Sequence, residues 1–403
     1  MHEFNLMLIE VFVIFFSLLV AIPLLIVGYQ CWVFLFCRSQ TETYPSTLSH
    51  DTSFAILIPA HNEQAIISKT LTKLISALPD ANPKRITLVA DNCTDQTALL
   101  AESQGVNVLI RNNDNQRGKG FALDYGIQYL RKHNKPDILV IFDADCETDK
   151  TSLNCLIQTA LVTQQPSQMT YLMRIMAIGS LKQKIAGFAW LLKNKIRTVA
   201  MQRMALPVNV SGTGMAFPWH SLESVQLGND NIVENIQLTI DCAVRGFLPI
   251  LCEDALVYSA FPEQTAAELT QRTRWEHGHL QTIIAQLPAL VKESWQRKSW
   301  PLLALALDIG VPPLSLQVMV TCLSLFLLLI LPNAISATAF TVLLLSFSFF
   351  AAMLIGVWWH HGRAYLSIKE LAGIPFYVMS KLSIYFGFIF KRQKDWVRTD
   401  RDH

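Results

Sequence analysis

The sequence predicts an α/β domain with a parallel sheet, placed between apolar segments that are long enough to cross a membrane. Between about residues 51 and 295, short apolar strands alternate with segments of helical spacing, which is the pattern of right-handed βαβ units. On either side, the runs Val11–Cys37 and Ile309–Trp359 contain no charged residue. Because one crossing needs about 20 apolar residues, the first run is long enough for one span and the second for two.

The composition agrees with a membrane-bound chain. Hydrophobic residues make up 51% of the sequence and charged residues 16%, which is apolar for a soluble protein. The net charge of +2, without interleaved basic and aromatic residues, gives no indication of nucleic-acid binding. The eight cysteines are scattered without a CxxC pair, so a zinc cage is not expected. A cytoplasmic location would keep them reduced.

Residues 1–50 are predicted to be an N-terminal transmembrane anchor and linker. The first residues lack the basic region of a secretory signal, and no small-residue cleavage site stands out, so the anchor is expected to stay uncleaved. Basic residues flank the apolar runs, and the positive-inside rule places these flanks in the cytoplasm and the N-terminus outside. The flanking residues are Arg38, Arg297, Lys298, Arg363 and Lys369.

Residues 296–365 are predicted to form a transmembrane helical hairpin that turns at Pro332-Asn333. Residues 366–403 are predicted to form an interfacial helix and a basic cytoplasmic tail. The apolar stretch Ile374–Phe390 carries Lys381 near its middle and precedes the basic run Lys391–Lys394. A fourth crossing would put that tail outside, against the positive-inside rule, so the interfacial location is favoured and a conventional span is the alternative.

Four strands are predicted within residues 51–295, at 55–59, 86–90, 106–110 and 137–142. Apolar residues at helical spacing predict helices over Ile66–Leu78 and Phe121–Arg131. In parallel sheets of this kind, ligands bind beyond the carboxyl ends of the strands. Polar residues that follow these strands are therefore candidates for a site.

Three polar clusters follow the predicted strands: His61-Asn62-Glu63, Asp91–Asp95 and Asp143-Ala144-Asp145. Two carboxylates two residues apart at a strand end can point at one spot, and Mg²⁺ or Mn²⁺ prefers such oxygen ligands. The third cluster therefore predicts a divalent-cation site. A purely structural role stays open for the others, because Asn62 could cap the next helix and Asp91 or Thr94 the segment from Gln96.

Two basic segments are further candidates. The run Arg117–Gly120 opens the helix expected from Phe121, where glycines let backbone amides approach an anion and Lys119 adds charge. The segment Leu181–Met204 mixes basic and apolar residues. It lies either against anionic lipid or with one face in solvent.

Six motifs occur in a fixed order along the central domain, and the ordered set is more specific than any member. The set resembles the family-2 glycosyltransferases of the GT-A fold, particularly the membrane-anchored branch that includes cellulose and hyaluronan synthases. It is similar to single-chain bacterial enzymes of exopolysaccharide assembly. The motifs are Ile58–Glu63, Asp91–Asp95, Gly118–Gly120, Asp143–Asp145, Ser211–Gly214 and Gln271–Trp275.

The resemblance implies an α/β fold of the GT-A type, a nucleotide-diphospho-sugar transferase domain, for residues 51–295, with flanking transmembrane helices. It also implies a donor site in which Asp91 accepts a hydrogen bond from a uracil-type N–H. UDP-sugar is therefore the expected donor. Asp143 and Asp145 would be the ligands of Mg²⁺ or Mn²⁺ on the diphosphate. The residues implied in donor binding are Pro59, Ala60, Asn62, Glu63, Asp91, Lys119 and Asp143.

Two further segments receive roles from the resemblance. A loop beside the donor sugar or acceptor would contain Ser211, Gly212, Thr213 and Gly214. Residues that close over the diphosphate and the acceptor would be Gln271, Arg272, Arg274 and Trp275. Arginine suits phosphate through its bidentate fork, although a surface helix with an arginine stacked on Trp275 is the alternative. His277 and His279 follow, and each is either a ligand or a structural residue.

One departure from the family pattern affects catalysis. Family members usually carry an aspartate as base where this sequence has Asn235, after Glu234. An amide cannot accept the acceptor's proton. Glu234 is the favoured base; the alternatives are a phosphate acceptor, which needs no base, and an impaired enzyme.

The expected function is inverting transfer of a sugar to a glycan or lipid-linked acceptor at the bacterial inner membrane, with the domain 51–295 in the cytoplasm. Membrane lipids and subunits of a polysaccharide-assembly complex are the other expected partners. Two rival functions stay open: a polyprenyl-phosphate glycosyltransferase, and a catalytically impaired subunit that binds nucleotide-sugar.

Overall fold

The computed structural model describes residues 2–38, 48, 52–174, 179–223, 225, 227–228, 234–261 and 265–390. Eight strands in this part of the chain form one sheet in the order β3-β2-β1-β4-β7-β6-β8-β5. The strands are β1 Phe54–Ala60, β2 Ile86–Asp91, β3 Asn107–Arg111, β4 Ile138–Ile141, β5 Glu147–Thr148, β6 Ser167–Met173, β7 Met215–Pro218 and β8 Ile250–Ser259.

The four predicted strands are confirmed and pair in parallel, in the order β3-β2-β1-β4. The prediction of a wholly parallel sheet is wrong for the other half, because β7 runs antiparallel to both β4 and β6. The reason lies in the connection. The chain enters β7 from the loop 211–214 at the carboxyl edge of β4, where Ile141 pairs with Met215, and so it has to run back.

The central strands are buried on both faces, which explains why they are continuous apolar runs. Side chains of a strand alternate between the two faces. Ile56 and Val140 belong to one apolar cluster of the sheet, and Leu57 and Leu139 belong to another. The helices of the central domain are α2 Ile67–Ala77, α3 Thr97–Ser103, α4 Lys119–His133, α5 Lys150–Thr163, α6 Leu181–Leu191, α7 Thr198–Arg203, α8 Trp219–Leu222, α9 Glu234–Val244 and α10 Thr265–Gln296.

Both predicted helices are confirmed, with one change at a boundary. Helix α4 begins at Lys119 instead of Phe121, after Gly118 as its N-terminal cap residue. Gly118 has a φ of +128°, a conformation that side chains with a Cβ rarely adopt. Lys119 therefore lies in the first turn of the helix, with its side chain directed toward the carboxyl edge of the sheet.

The apolar runs form helices, and in the part of the chain that the structure describes three stretches are long and apolar enough to cross a membrane: Met7–Phe36, Ile335–Gly362 and Ile368–Phe390. A fourth candidate is a bent pair of helices that meet at 78°. The bend falls at Pro312-Pro313, where proline interrupts helical hydrogen bonding. The helices are α1 His2–Phe36, α11 Trp300–Ile309, α12 Leu314–Ile330, α13 Asn333–Val357, α14 Ile368–Leu371, α15 Ile374–Ser380 and α16 Leu382–Phe390.

The turn predicted at Pro332-Asn333 is confirmed, since α12 ends at Ile330 and α13 begins at Asn333. Lys381, whose charge favoured an interfacial location for residues 374–390, has a partner inside the protein. Lys381 forms an ion pair with Glu276 of α10, and both side chains are largely buried. Its charge is balanced inside the protein and does not indicate depth in a membrane. The basic run Lys391–Lys394 lies outside the described residues.

Candidate active site

The loops after β1 and β2 are joined by side-chain hydrogen bonds at the carboxyl edge of the sheet. Asn62 Nδ2 donates to Thr94 Oγ1 at 3.0 Å, and Thr94 N donates to Asn62 Oδ1 at 2.7 Å. Neither residue caps a helix, so that expectation is wrong for both. In the described structure α2 has no side-chain hydrogen bond at its cap residue, while Asp95 Oδ1 accepts from Thr97 N at 3.0 Å at the start of α3.

Asp91 ends β2 and is buried. Its Oδ1 accepts a hydrogen bond from Arg111 at 2.5 Å, so its role is an ion pair and not a helix cap. Arg111 also donates to the carbonyl of Gln116 at 2.9 Å, which fixes the loop that leads to α4. Sequence reasoning missed Arg111. The signal for it was the parallel register, which sets Asp91 beside Arg111 on β3.

The Asp143-Ala144-Asp145 cluster follows β4 and lies beside the end of β8 and the loop before β7. Potential ligand atoms of Asp143, Asp145 and Cys146 all lie within 4.8 Å of one another. The amide of Asp143 donates to Thr213 Oγ1 at 3.0 Å, and Ser259 Oγ, at the end of β8, donates to Asp145 Oδ2 at 2.9 Å. Each acidic residue is thus positioned by a different neighbouring strand or loop.

Lys119 is the cation of this cluster. Its Nζ donates to Asp143 Oδ1 at 2.5 Å and to the carbonyl of Gly212 at 2.7 Å, and it lies 3.9 Å from Glu234 Oε1. Burial alone lowers the pKa of Lys119, yet the charges of Asp143 and Glu234 raise it above its usual range. Burial raises the pKa of Asp143, and the charge of Asp145 adds to that effect. The carboxylates therefore favour a further cation.

The donor set fits a hard divalent cation. Asp143 and Asp145 supply carboxylate oxygens, the ligands that Mg²⁺ and Mn²⁺ prefer. The third group is the Cys146 thiol, whose pKa burial raises well above its usual range; one thiol with two carboxylates does not match the Cys and His sets of structural zinc sites. The cluster is therefore unlike a zinc site.

The loop 211–214 divides into two halves. Ser211 and Gly212 line a cavity beside the acidic cluster. Thr213 is fully buried behind the wall of this cavity, where its hydroxyl oxygen accepts a hydrogen bond from the Asp143 amide. The prediction that Thr213 faces the donor sugar or acceptor is therefore wrong. Gly214 has a φ of +61°, and a Cβ there would lie 2.8 Å from Val257 Cγ1, so it too is a packing residue.

Glu234 and Asn235 begin α9 and have different surroundings. Glu234 lines the same cavity, with its side chain 20% exposed and near Lys119. Asn235 Nδ2 donates to the carbonyl of Val210 at 2.8 Å, which holds the loop 211–214 against α9. The amide thus has a structural hydrogen bond that a carboxylate could not make.

The Gln271–Trp275 motif lies on α10 and faces the site from above the sheet edge. Trp275 packs on Trp190, with ring centroids 5.2 Å apart, and the Arg272 guanidinium lies 5.3 Å from the Tyr377 ring. Neither contact is the stacking of an arginine on Trp275 that the alternative predicts. Gln271 and Arg274 line the cavities.

The two histidines that follow this motif are structural. Nε2 of His277 hydrogen-bonds to the carbonyl of Ile384 at 2.8 Å, and Nε2 of His279 to that of Ile309 at 3.0 Å. Burial and the charge of Lys193 lower the pKa of His279 to about 4, so the ring is neutral and its Nε2 donates.

Two cavities meet at the acidic cluster. We call the first, of about 490 Å³, the outer cavity; its lining includes Pro59, Ala60, Asn62, Glu63 and Asp91. We call the second, of about 210 Å³, the central cavity; its lining includes Ser211, Gly212, Glu234, Asn235 and Trp275. Residues shared by both are Lys119, Asp143, Asp145, Gln271 and Arg274.

Two basic residues of segment Leu181–Met204, Arg197 and Arg203, face inward, whereas Lys182 and Lys193 are exposed. Arg197 donates to Asp308 Oδ1 at 2.7 Å and to Gln30 Oε1 at 2.9 Å, and Arg203 donates to the carbonyl of Phe34 at 2.7 Å. For these residues the predicted solvated face is wrong. They connect the central domain to α1 and α11 through partners far away in sequence.

Comparison with known proteins agrees with this geometry. The family model described as glycosyltransferase like family 2 matches residues 50–278, more than half of the 403-residue chain. The chain belongs to glycosyltransferase family 2. A curated relative, the probable glycosyltransferase YdaM of Bacillus subtilis (strain 168), is 23% identical over 253 residues, which are 59% of this chain. The aligned part spans 58% of the relative's length.

A solved structure extends the likeness over nearly the whole glycosyltransferase chain. The mannosyltransferase PcManGT from Pyrobaculum calidifontis, in complex with GDP-Man and Mn²⁺, has a TM-score of 0.55 at 14% identity. The similarity covers 96% of this chain and 100% of the PcManGT chain. The predicted α/β fold of the GT-A type is therefore confirmed, with a mixed sheet, and the apolar helices fit the predicted flanking segments.

Proposed function

We propose that this glycosyltransferase is a membrane-bound, metal-dependent, inverting enzyme. It transfers a sugar from a nucleotide-diphospho-sugar to a glycan or lipid-linked acceptor, in bacterial exopolysaccharide or cell-surface polysaccharide biosynthesis. The observation that supports this most is the convergence of Asp143, Asp145, Lys119 and Glu234 where the outer and central cavities meet.

The outer cavity is assigned to the nucleotide. Its volume of about 490 Å³ falls in the range of small-ligand sites. Asp91 and the loop 59–63 form the end away from the acidic cluster, where base and ribose would lie, with UDP-sugar as the expected donor. At the other end Lys119 and Arg274 supply positive charge for the diphosphate.

Asp143 and Asp145 would hold the metal ion, Mg²⁺ or Mn²⁺. When bound, the ion supplies positive charge that stabilises the diphosphate as a leaving group. The PcManGT structure, which contains Mn²⁺ together with GDP-Man, is consistent with this assignment. Lys119 and Arg274 act on the same charge from fixed positions, which lowers the cost of reorganisation during transfer.

The acceptor is assigned to the central cavity. Its hydroxyl oxygen forms a bond to the anomeric carbon on the face opposite the diphosphate. The bond from that carbon to the diphosphate oxygen breaks, and its electron pair leaves on the diphosphate. The hydroxyl proton goes to the carboxylate of Glu234, because Asn235 cannot accept it.

The membrane assignment rests on the three apolar stretches and their basic flanks. We place the protein in the bacterial inner membrane with several crossings, the catalytic domain in the cytoplasm and the N-terminus outside. A polyprenyl-phosphate glycosyltransferase is the second candidate, favoured by Asn235 at the usual base position. A phosphate acceptor is already ionised and needs no base.

The test is isothermal titration of purified protein with a panel of nucleotide sugars, with and without Mn²⁺. We expect one donor to bind when Mn²⁺ is present, and Asp145→Asn to weaken its binding at least tenfold. The matched control is Asp114→Asn, since Asp114 is an exposed residue paired with Arg117. Failure of every donor to bind with Mn²⁺ would refute the proposal. Binding without donor hydrolysis or transfer would leave a non-catalytic subunit.

A further inference from the structure

A third cavity, of about 270 Å³, lies between the catalytic domain and the apolar helices, and we call it the apolar cavity. Its walls come from α6, the corner between α11 and α12, α13 and α15. It adjoins the central cavity, and both are lined by Trp190, Lys193, Arg197, Gln271, Trp275 and His279. Away from that junction the lining is mainly aliphatic and aromatic, as in Ile185, Phe188, Leu192, Val311, Leu314 and Val318.

The charges that line the apolar cavity are mostly positive. They are four cations and one carboxylate: Lys193, Arg197, Arg272, Lys381 and Glu276. Two of the cations are balanced by carboxylates, because Lys381 pairs with Glu276, and Arg197 with Asp308 at the junction. Arg272 has partners of its own as well, so the excess of positive charge beside the apolar walls is that of Lys193.

Lys193 is the cation for which this excess matters most. Among the residues that the structure describes, no side chain or carbonyl forms a hydrogen bond or ion pair with it. Its side chain is exposed to the cavity, and desolvation by the surrounding protein, together with the charge of Arg197, lowers its pKa. An anion beside Lys193 would offset that cost, and the position adjoins both cavities.

We propose that the acceptor is a phosphate-bearing lipid, whose apolar chain lies in the apolar cavity and whose phosphate contacts Lys193. This rests on the proposed function and names the substrate class of the same site. The head group beyond the phosphate extends into the central cavity, toward Glu234 and the acidic cluster.

Other occupants fit less well. A glycan chain would place many hydroxyl groups against aliphatic walls that offer few hydrogen-bond partners, at a large desolvation cost. A neutral lipid would fill the walls but leave Lys193 without a counter-charge. A free phosphate would meet Lys193 and leave the apolar walls uncovered.

The test is a binding measurement that needs no sugar donor. Full-length protein in detergent is titrated with farnesyl phosphate, with farnesol and with inorganic phosphate, and bound species are counted by native mass spectrometry. We expect farnesyl phosphate to bind at least tenfold more tightly than either of the others. Lys193→Met should weaken farnesyl phosphate about tenfold and leave farnesol unchanged. Ala189→Trp, which adds bulk inside the apolar cavity, should weaken both lipids.

Matched controls come from nearby positions. Lys182→Met removes a charge from the exposed start of α6, and Ala352→Phe adds bulk at an exposed position of α13. Neither should change lipid binding. Equal affinity for farnesol and farnesyl phosphate, or no effect of Lys193→Met, would overturn the inference. So would binding of inorganic phosphate as tight as that of the lipid.

The donor titration separates this inference from the proposed function. Ala189→Trp should bind the nucleotide sugar as the unaltered protein does, because position 189 does not line the outer cavity. If donor binding is intact and farnesyl phosphate does not bind, only the lipid acceptor is refuted. If the unaltered protein binds no nucleotide sugar with Mn²⁺, the proposed function itself fails.

Discussion

Single residues in the site often have a task that their neighbour cannot perform. Glu234 and Asn235 are adjacent and both line the central cavity, yet Glu234 lies near Lys119 while the Asn235 side chain donates to the Val210 carbonyl. A pattern that looks like a lost base is therefore compatible with a division of tasks between the two positions. This view makes opposite predictions for changes at the two residues.

Glu234→Gln should lower kcat by about 10²- to 10⁴-fold, because the amide cannot take the acceptor's proton. Donor affinity by isothermal titration should stay unchanged. The control is Glu223→Gln, an exposed residue that pairs with Lys135. Near-normal turnover by the Glu234 variant would eliminate it as the base and favour an ionised acceptor.

Asn235→Asp should give no gain in turnover and should lower the unfolding temperature. The carboxylate would face the Val210 carbonyl that now accepts a hydrogen bond at 2.8 Å, and two acceptors repel each other. Turnover and thermal unfolding of the purified variant measure both effects. A large gain in activity would instead identify a naturally weakened enzyme.

Gly214→Ala should destabilise the protein by about 1–3 kcal/mol, because it combines an unfavourable φ of +61° with a close contact at 2.8 Å from Val257 Cγ1. Gly246→Ala is the matched control, since Gly246 has a φ of +91° and a Cβ there would meet nothing within 4 Å. Thermal unfolding of both variants separates the contact from backbone strain. Equal losses would show that the contact contributes nothing.

At the level of elements, the sequence predicts what depends on local periodicity. Strands β1, β2 and β4 are buried apolar runs and β3 is a partly exposed one, each followed by polar residues, and α2 and α4 have helical spacing, so all were predicted. The second half of the sheet was missed because β5 has two residues, Glu147 and Thr148, and β8 is irregular beside β6. Neither has a periodic pattern to detect.

The contacts between segments that are distant in the chain could not be predicted from the sequence either. Thr213 looked like a residue of the donor loop, and only its contact with the Asp143 amide shows its position behind the wall. Lys193 belongs to a run of basic residues typical of a solvated helix, and only the packing of α6 and the π-helical stretch Leu192–Arg197 against the apolar helices places it at a cavity. Asp143 and Asp145 were predictable because they end one strand.

The ion pair between Lys381 and Glu276 connects the C-terminal helices to α10. Lys381→Met should destabilise the protein by about 3–5 kcal/mol, because the carboxylate is left uncompensated with side chains only 12% and 10% exposed. The double variant Lys381→Met/Glu276→Gln should recover much of that loss. Thermal unfolding of the purified protein measures each variant.

A more exposed ion pair provides the control for this prediction. Lys184 pairs with Glu370 at 2.6 Å, with side chains 29% and 27% exposed, and it also connects the catalytic domain to the C-terminal helices. Lys184→Met should cost little stability, because solvent screens an exposed ion pair. If both single variants lose the same stability, burial does not determine the strength of these connections.

Across the whole molecule, the outer, central and apolar cavities adjoin one another from the nucleotide end of the sheet edge to the apolar helices. Arg197 and Arg203 hold this arrangement together. Arg197, which ends the π-helical stretch 192–197, bonds to residues of α1 and α11, and Arg203 of α7 bonds to α1. The proposed nucleotide-sugar donor and the proposed lipid acceptor would reach the acidic cluster from opposite ends. Such a path requires the catalytic domain to lie against one membrane surface.

The side of that surface can be tested by protease accessibility. The basic flanks of the apolar runs favour the cytoplasmic side. Arg131 and Lys132, in the exposed last turn of α4, are accessible sites for trypsin. We expect trypsin to cut the catalytic domain in inverted inner-membrane vesicles and to leave it intact in spheroplasts. Detergent-permeabilised spheroplasts, in which cleavage should return, are the control. Cleavage in intact spheroplasts would place the catalytic domain outside the cell. The predicted orientation would then be wrong, although the arrangement of the cavities would be unchanged.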